Sequence, residues 1–183
     1  MTQFLNTIRH YDFATYLKLH QTSDDFVFLH RFFDLFAKYG ILIPFLAFIY
    51  LIWTKRINAL ICSFFAMALA GIADLTIYLF WQRPRPYVTH AEQVSLNPDN
   101  YTVDMASFPS SHTYLAFAVA TSIFLYGHKK LGAFLFLVAI GIAASRIATG
   151  LHYPSDTIGG ALLGVSAGIF AYIIVHKSEK YWE

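Results

Sequence analysis

Three short polar clusters interrupt an apolar chain: Arg83-Pro84-Arg85-Pro86, Pro109-Ser110-Ser111-His112, and Ser145-Arg146 with His152 and Asp156 downstream. A proline biases the residue before it to extended backbone, so Arg83 and Arg85 leave a helix end outstretched. Each guanidinium is a planar fork that matches the oxygens of a phosphate. In the second cluster a serine is placed to cap the helix that runs on through Thr113. The start of that helix offers free N–H groups and a positive dipole end to an oxyanion, and His112 falls in its first turn. In the third cluster Gly150 stops one helix and Pro154 opens the next, leaving His152 in the connection and Asp156 in a first turn. A carboxylate four residues on can hold one imidazole nitrogen and leave the other basic, the pairing used in nucleophilic catalysis. The set as a whole would bind a tetrahedral phosphate, attack it and protonate its leaving group.

Each cluster alone has a plainer reading: arginines snorkelling to headgroups, a capped helix start, an interfacial histidine beside a capping aspartate. The elements that carry the clusters decide between the two. Of the 183 residues 57% are hydrophobic, 18% aromatic and 13% charged, and the mean hydropathy is +0.50. That composition suits a chain whose solvent is lipid. A net charge of +2, with no basic run interleaved with aromatics, argues against a nucleic-acid partner. Crossing the hydrocarbon takes roughly 20 mostly apolar residues. Five stretches qualify, at about 37–53, 57–81, 107–127, 131–149 and 156–176. The fold class expected is therefore an all-α membrane bundle of about five transmembrane helices, or six if the poorly apolar N-terminal segment also spans. The whole chain, 1–183, reads as one membrane-embedded domain: an amphipathic interfacial segment over 1–36 and a catalytic bundle over 37–183. Residues 1–18 lack the apolar core of a signal peptide.

Alternating five spans carries the three clusters to one membrane face, although more than 70 residues of sequence separate them. The opposite face receives Lys55-Arg56, His128-Lys129-Lys130, Lys177 and Lys180, whereas the loop at about 82–106 has no Lys or Arg after Tyr87. The positive-inside rule then puts the basic turns in the cytoplasm and the clusters outside, with the cations of the N-terminal segment pulling the other way.

The spacing Ser145-Arg146-x5-His152-x3-Asp156, preceded by Pro109-Ser110-Ser111-His112 and an Arg-Pro pair, resembles the type-2 phosphatidic acid phosphatase superfamily. The resemblance covers about residue 70 to the end of the chain. The family pattern is Lys-x6-Arg-Pro, Pro-Ser-Gly-His and Ser-Arg-x5-His-x3-Asp. Two positions depart from it. The lysine is replaced by Tyr78 if Arg85-Pro86 is the pair, or by Thr76 if it is Arg83-Pro84, and Ser111 stands at the glycine. The resemblance implies that His152 attacks phosphorus to form a phosphohistidine, with Asp156 orienting it. It implies that His112 protonates the departing oxygen and then activates water. Arg85, Arg146, Ser110 and the N–H groups near Ser111 would hold the phosphate, with Arg83 supplying a further cation. It implies no cofactor and no metal, and no metal-ligand spacing is present in the sequence.

The phrases RPRPYVTH, SFPSSHT and SRIATGLHYPSD are most similar to the undecaprenyl-diphosphate phosphatases of that superfamily. The resemblance thus implies a bacterial inner (plasma) membrane enzyme of carrier-lipid recycling in peptidoglycan synthesis, its site facing the periplasm or cell exterior. Phosphatidylglycerophosphate or lipid A phosphatase action, transfer of phosphate to another lipid, and a non-enzymatic anionic-lipid transporter or scaffold are the rival readings. A vanadate haloperoxidase fits poorly with a membrane bundle.

Four further features carry expectations. Asp74, inside the second span, is a candidate intramembrane functional group, with a protonated, hydrogen-bonded carboxyl as its alternative. Gly160, Gly164 and Gly168 form a small-residue ladder that suits close helix packing within the chain or a homodimer face. Phe32, Phe33, Phe36 and Tyr39 suit interfacial anchoring against membrane lipids. Cys62 excludes an internal disulfide by being alone, and Asn100-Tyr101-Thr102 is a formal glycosylation sequon.

Overall fold

The computed structural model describes residues 2–90, 92 and 106–179. Among the described residues eight helices follow one another: α1 (Thr2–Asp25), α2 (Val27–Tyr39), α3 (Leu42–Trp53), α4 (Ile57–Phe80), α5 (Pro86–Thr89), α6 (Ser111–Leu125), α7 (Lys129–Ala148) and α8 (Pro154–Glu179). Among the described residues the sole β-type pairing is an isolated bridge between Pro84 and Ala106. The sequon at Asn100 lies outside the described residues.

A helix stands at each of the five apolar stretches, with corrected boundaries. Ile57–Phe80, Lys129–Ala148 and Pro154–Ser178 are long and apolar enough to cross a membrane. The first stretch is not continuous: α2 and α3 meet at a 48° bend and qualify only as a pair. Pro44 explains the break, because its ring would collide with the carbonyl four residues back, on Gly40, and it has no N–H to offer that oxygen. The third stretch gives a helix of only 15 residues, starting at Ser111 rather than at 107. The segment read as interfacial over 1–36 is two helices that part at Phe26, whose backbone is extended, and the second, α2, runs on to Tyr39.

Lipid-type solvation is written on the outer faces. Trp53, Phe80, Leu137, Leu162 and Phe170 are all more than half exposed, an amount of apolar surface that water would not tolerate on a bundle of this size. The inside is small-residue packing around α6, which touches α4, α7 and α8. The glycine ladder of α8 makes this possible. A methyl group on Gly160 would lie 2.7 Å from the Ser110 carbonyl oxygen, and one on Gly168 would lie 2.6 Å from Thr121 Cβ. The ladder therefore faces α6 of the same chain, and brings the first turns of α6 and α8 side by side. Cys62 is buried and forms no disulfide.

At one end of the bundle Lys55, Arg56 and His128 line a common cavity. The three polar clusters gather at the other end, so the sidedness expected from the alternating spans is realised in the packing.

Candidate active site

Helix α7 ends at Thr149, and Gly150 takes the left-handed conformation (φ +82°) that closes it. The chain then runs through Leu151, His152 and Tyr153 into α8, whose first helical residue is Pro154. Asp156 occupies the third helical position and reaches back to accept the Tyr153 N–H at 2.8 Å, half of a capping box. This local closure makes a rigid turn with His152 buried at its centre.

The imidazole is oriented by a group the sequence did not nominate. Nδ1 of His152 lies 2.8 Å from the carbonyl oxygen of Ser107, and Asp156 Oδ2 is 3.7 Å from the same nitrogen. A carbonyl can only accept, so Nδ1 carries the proton and Nε2 keeps the lone pair. The expectation that Asp156 itself binds the ring is thus refined. Its carboxylate already accepts from Ser107 Oγ, from the Tyr153 N–H and from Arg83 Nη1, and it acts on His152 through Ser107 and through its field. Burial lowers the His152 pKa to about 4, with nearby Arg146 and Arg85 pressing the same way against the opposing pull of Asp156. The ring is neutral at physiological pH.

Nε2 points to Arg85, whose Nη1 stands 3.0 Å away and also donates to the Leu151 carbonyl at 3.2 Å. Both residues line a cavity of about 230 Å³, together with Ser111, Pro109, Asp74 and Tyr78. Arg85 is therefore the arginine of the Arg-Pro pair that meets the histidine, and Tyr78, six residues plus one before it, occupies the lysine position on the cavity wall. Asp74 also faces this cavity and accepts a hydrogen bond from Tyr114 Oη at 3.1 Å.

Arg146 is buried one turn before the connection. Its Nη1 donates to the Ala37 carbonyl at 3.4 Å and its Nε has no partner. No carboxylate pairs with it among the described residues, and a buried cation left in this way is costly until an anion arrives. His112, in the first turn of α6, is near enough to Arg146, His152 and Arg85 to share their field. Ser110 sits at the N-cap position, but its side chain does not cap. Its Oγ instead accepts from Thr113 Oγ1 at 3.1 Å, and its N–H donates to the Asp156 carbonyl at 3.1 Å. The first N–H groups of α6 thus have no side-chain cap among the described residues, and Ser111 stands at the cavity edge.

Arg83 stands apart from this group. Its Nη1 donates to Asp156 Oδ1 at 2.7 Å and to Ser155 Oγ at 2.6 Å, and its Nη2 to Asp12 Oδ2 at 2.7 Å. Its guanidinium lies over the Tyr153 ring at 3.9 Å. Paired with two carboxylates, it braces the Tyr153–Asp156 turn from behind. It lines a second, larger cavity of about 460 Å³ that His152 does not reach, so size alone does not mark the reacting pocket. Sequence reasoning missed Ser107 and Asp12. Ser107 is a lone small polar residue in a loop, without any spacing signal. Asp12 belongs to a helix with no link in sequence to the clusters.

An imidazole acceptor nitrogen and an arginine on one cavity, with the start of α6 at its edge and the buried Arg146 in their field, are a set that could take a phosphoryl group. The sequence model of the PAP2 superfamily matches residues 59–180, two thirds of the chain. The chain belongs to the PAP2 superfamily. Among named relatives, this PAP2 chain is 30% identical over 134 residues to the putative undecaprenyl-diphosphatase YbjG of Escherichia coli, covering 72% of this chain and 66% of that one. It is 47% identical over 66 residues to the bacitracin transport permease protein BcrC of Bacillus licheniformis, covering 36% of this chain and 32% of the relative. The match thus spans 66% of the length of the first relative and 32% of the second. The Aquifex aeolicus LpxE crystal structure superposes with a TM-score of 0.72 at 28% identity, covering 87% of this PAP2 chain and 93% of LpxE.

Proposed function

We propose that this PAP2 protein is a metal-independent membrane lipid phosphatase whose substrate is a polyprenyl diphosphate of the undecaprenyl type, cleaved to the monophosphate. The carrying observation is the pair Ser107–His152. A carbonyl on Nδ1 leaves the Nε2 lone pair facing a cavity that holds Arg85. In the first step Nε2 attacks the terminal phosphorus, an N–P bond forms, and the bridging P–O bond breaks. The leaving lipid monophosphate takes its proton from His112 or departs as the anion. In the second step His112 accepts a proton from water, whose oxygen attacks the phosphohistidine. The N–P bond breaks, and inorganic phosphate leaves with His152 restored. Arg85, Arg146 and the α6 N–H groups neutralise the charge that builds on the equatorial oxygens.

The substrate class rests on the names of the relatives. YbjG and the BcrC of Bacillus subtilis, 34% identical over 108 residues, carry undecaprenyl-diphosphatase names. The lipid A 4'-phosphatase of Bacteroides thetaiotaomicron, 32% identical over 93 residues, supports lipid A as the second reading. The basic turns at the far end of the bundle support a site that faces the outside of the plasma membrane. Phosphate release by purified protein from undecaprenyl diphosphate, phosphatidylglycerophosphate and lipid A tests the assignment. Preference for the diphosphate by at least tenfold in kcat/KM is the result expected. Release from none of the three would remove the hydrolase reading, and release only on addition of an acceptor lipid would make the protein a phosphotransferase.

A further inference from the structure

Helix α1 lies outside the 59–180 family match, yet one of its faces is fastened to the turn that bears the nucleophile. Asp12, Tyr16 and His20 recur every four residues and so share that face. His20 Nδ1 donates to the Ala148 carbonyl at 2.8 Å, at the end of α7. Tyr16 is fully buried against Tyr87, Ile147, Leu151 and Tyr153. Asp12, buried as well, accepts the Ser155 N–H at 2.9 Å, the Ser155 hydroxyl at 2.6 Å and Arg83 Nη2 at 2.7 Å. The first of these caps the start of α8 from a helix more than 140 residues away in sequence. The last splits one guanidinium between Asp12 and Asp156.

This face makes a continuous chain of contacts. Asp12 holds Arg83, Arg83 holds Asp156 and stacks on Tyr153, and Asp156 holds Ser107, whose carbonyl sets the His152 tautomer. Asp12 lines the larger cavity beside Arg83 and not the one that holds His152, so its link to the imidazole runs through other residues. We propose that Asp12 is a positioning residue for phosphoryl transfer, acting through Arg83 to fix the Tyr153–Asp156 turn and hence the aim of His152 Nε2. This rests on the phosphatase reading above. An aspartate released from Arg83 lets the turn relax, and a displacement of about an ångström at the nucleophile costs rate rather than ground-state binding.

The test compares the full chain in lipid with its D12N, D12E, R83Q and D12N/R83Q variants, reading kcat, KM and melting temperature on the best lipid phosphate. The expected result is a roughly tenfold loss of kcat in D12N with KM within about twofold. D12E should recover at least half of the lost logarithm of rate, and D12N/R83Q should be no slower than R83Q alone, because both substitutions cut the same link. A wild-type kcat in D12N overturns the proposal, as do defects that multiply in the double variant. A rate loss that merely follows the fraction of folded protein, or a D12E as slow as D12N, also overturns it. A wild-type chain inactive on every lipid phosphate would instead overturn the phosphatase reading.

Discussion

Arg85 donates to the nitrogen proposed as the nucleophile: its Nη1 is 3.0 Å from Nε2 of His152. The arginine therefore shares the Nε2 lone pair, and a phosphate that draws the guanidinium to itself would release that nitrogen. The exchange is favourable because a phosphate oxygen is a better acceptor for a cation than a neutral imidazole. The resting contact keeps both groups aimed into one cavity.

Removing that arginine should cost both binding and rate. R85Q is expected to lower kcat/KM by about two to three orders of magnitude, the scale of losing one charged donor at a developing oxyanion. Burial comes first in depressing the His152 pKa, but Arg85 adds to it, so the acid limb of the kcat/KM profile should also move to higher pH in R85Q. A profile that scales down without moving would disconnect the two residues.

His152→Ala should abolish turnover in a chain that still inserts and folds, and wild type quenched in alkaline detergent should yield a phosphohistidine that the variant lacks. His112→Ala should retain the covalent step for a diphosphate, whose leaving group needs little protonation, and slow hydrolysis of the intermediate by about two to four orders of magnitude. Phosphohistidine accumulating in H112A is the outcome to look for. Its appearance in H152A would move the nucleophile elsewhere.

The buried imidazole ties stability to pH. Its folded pKa, about 4, lies below the ordinary 6.5, so below 6.5 the unfolded chain binds the proton more readily. Its contribution is complete above pH 6.5 and is lost as the pH falls from 6.5 to 4, worth about 3 kcal/mol over that window. Melting temperatures of the wild type and H152Q, measured between pH 7.5 and 4.5, should converge toward acid pH, the wild type losing more.

Arg146 carries the opposite signature. A buried cation without an acid partner destabilises the empty protein and rewards an anion. Inorganic phosphate should raise the melting temperature of the wild type. R146M should melt at or above the unliganded wild type and lose phosphate affinity by at least tenfold, about 1.4 kcal/mol. Equal phosphate-induced shifts in both proteins would contradict this.

Much of the site was legible because its chemistry demands fixed spacings. The x5 and x3 intervals around His152 follow from a helix stop at Gly150 and a helix start at Pro154, and those are local signals. What was not legible depends on contacts distant in sequence. Nothing in the neighbourhood of Ser107 says that its carbonyl will meet His152 Nδ1, and nothing in α1 says that Asp12 will reach Ser155. The choice between Arg83 and Arg85 was open for the same reason: both precede proline, and only packing sends one to the cavity and the other to the brace. Boundaries failed where one residue outweighed the apolar pattern, as Pro44 does in bending the first span.

The close seating of Gly160 and Gly164 against the start of α6 has a wider consequence. A side chain larger than hydrogen at Gly164 would meet Phe117 Cβ at 2.9 Å, so G164V should cost roughly 1–3 kcal/mol in thermal stability. That intolerance makes the first turns of α6 and α8 a single fixed jaw, bearing His112 on one side and Asp156 on the other. On the other side of the cavity stand Asp74, Leu75 and Tyr78 of α4, none of which bonds to His152. Adjustment to headgroups of different bulk is therefore best sought at Leu75 and Tyr78, away from the jaw that holds His112 and Asp156.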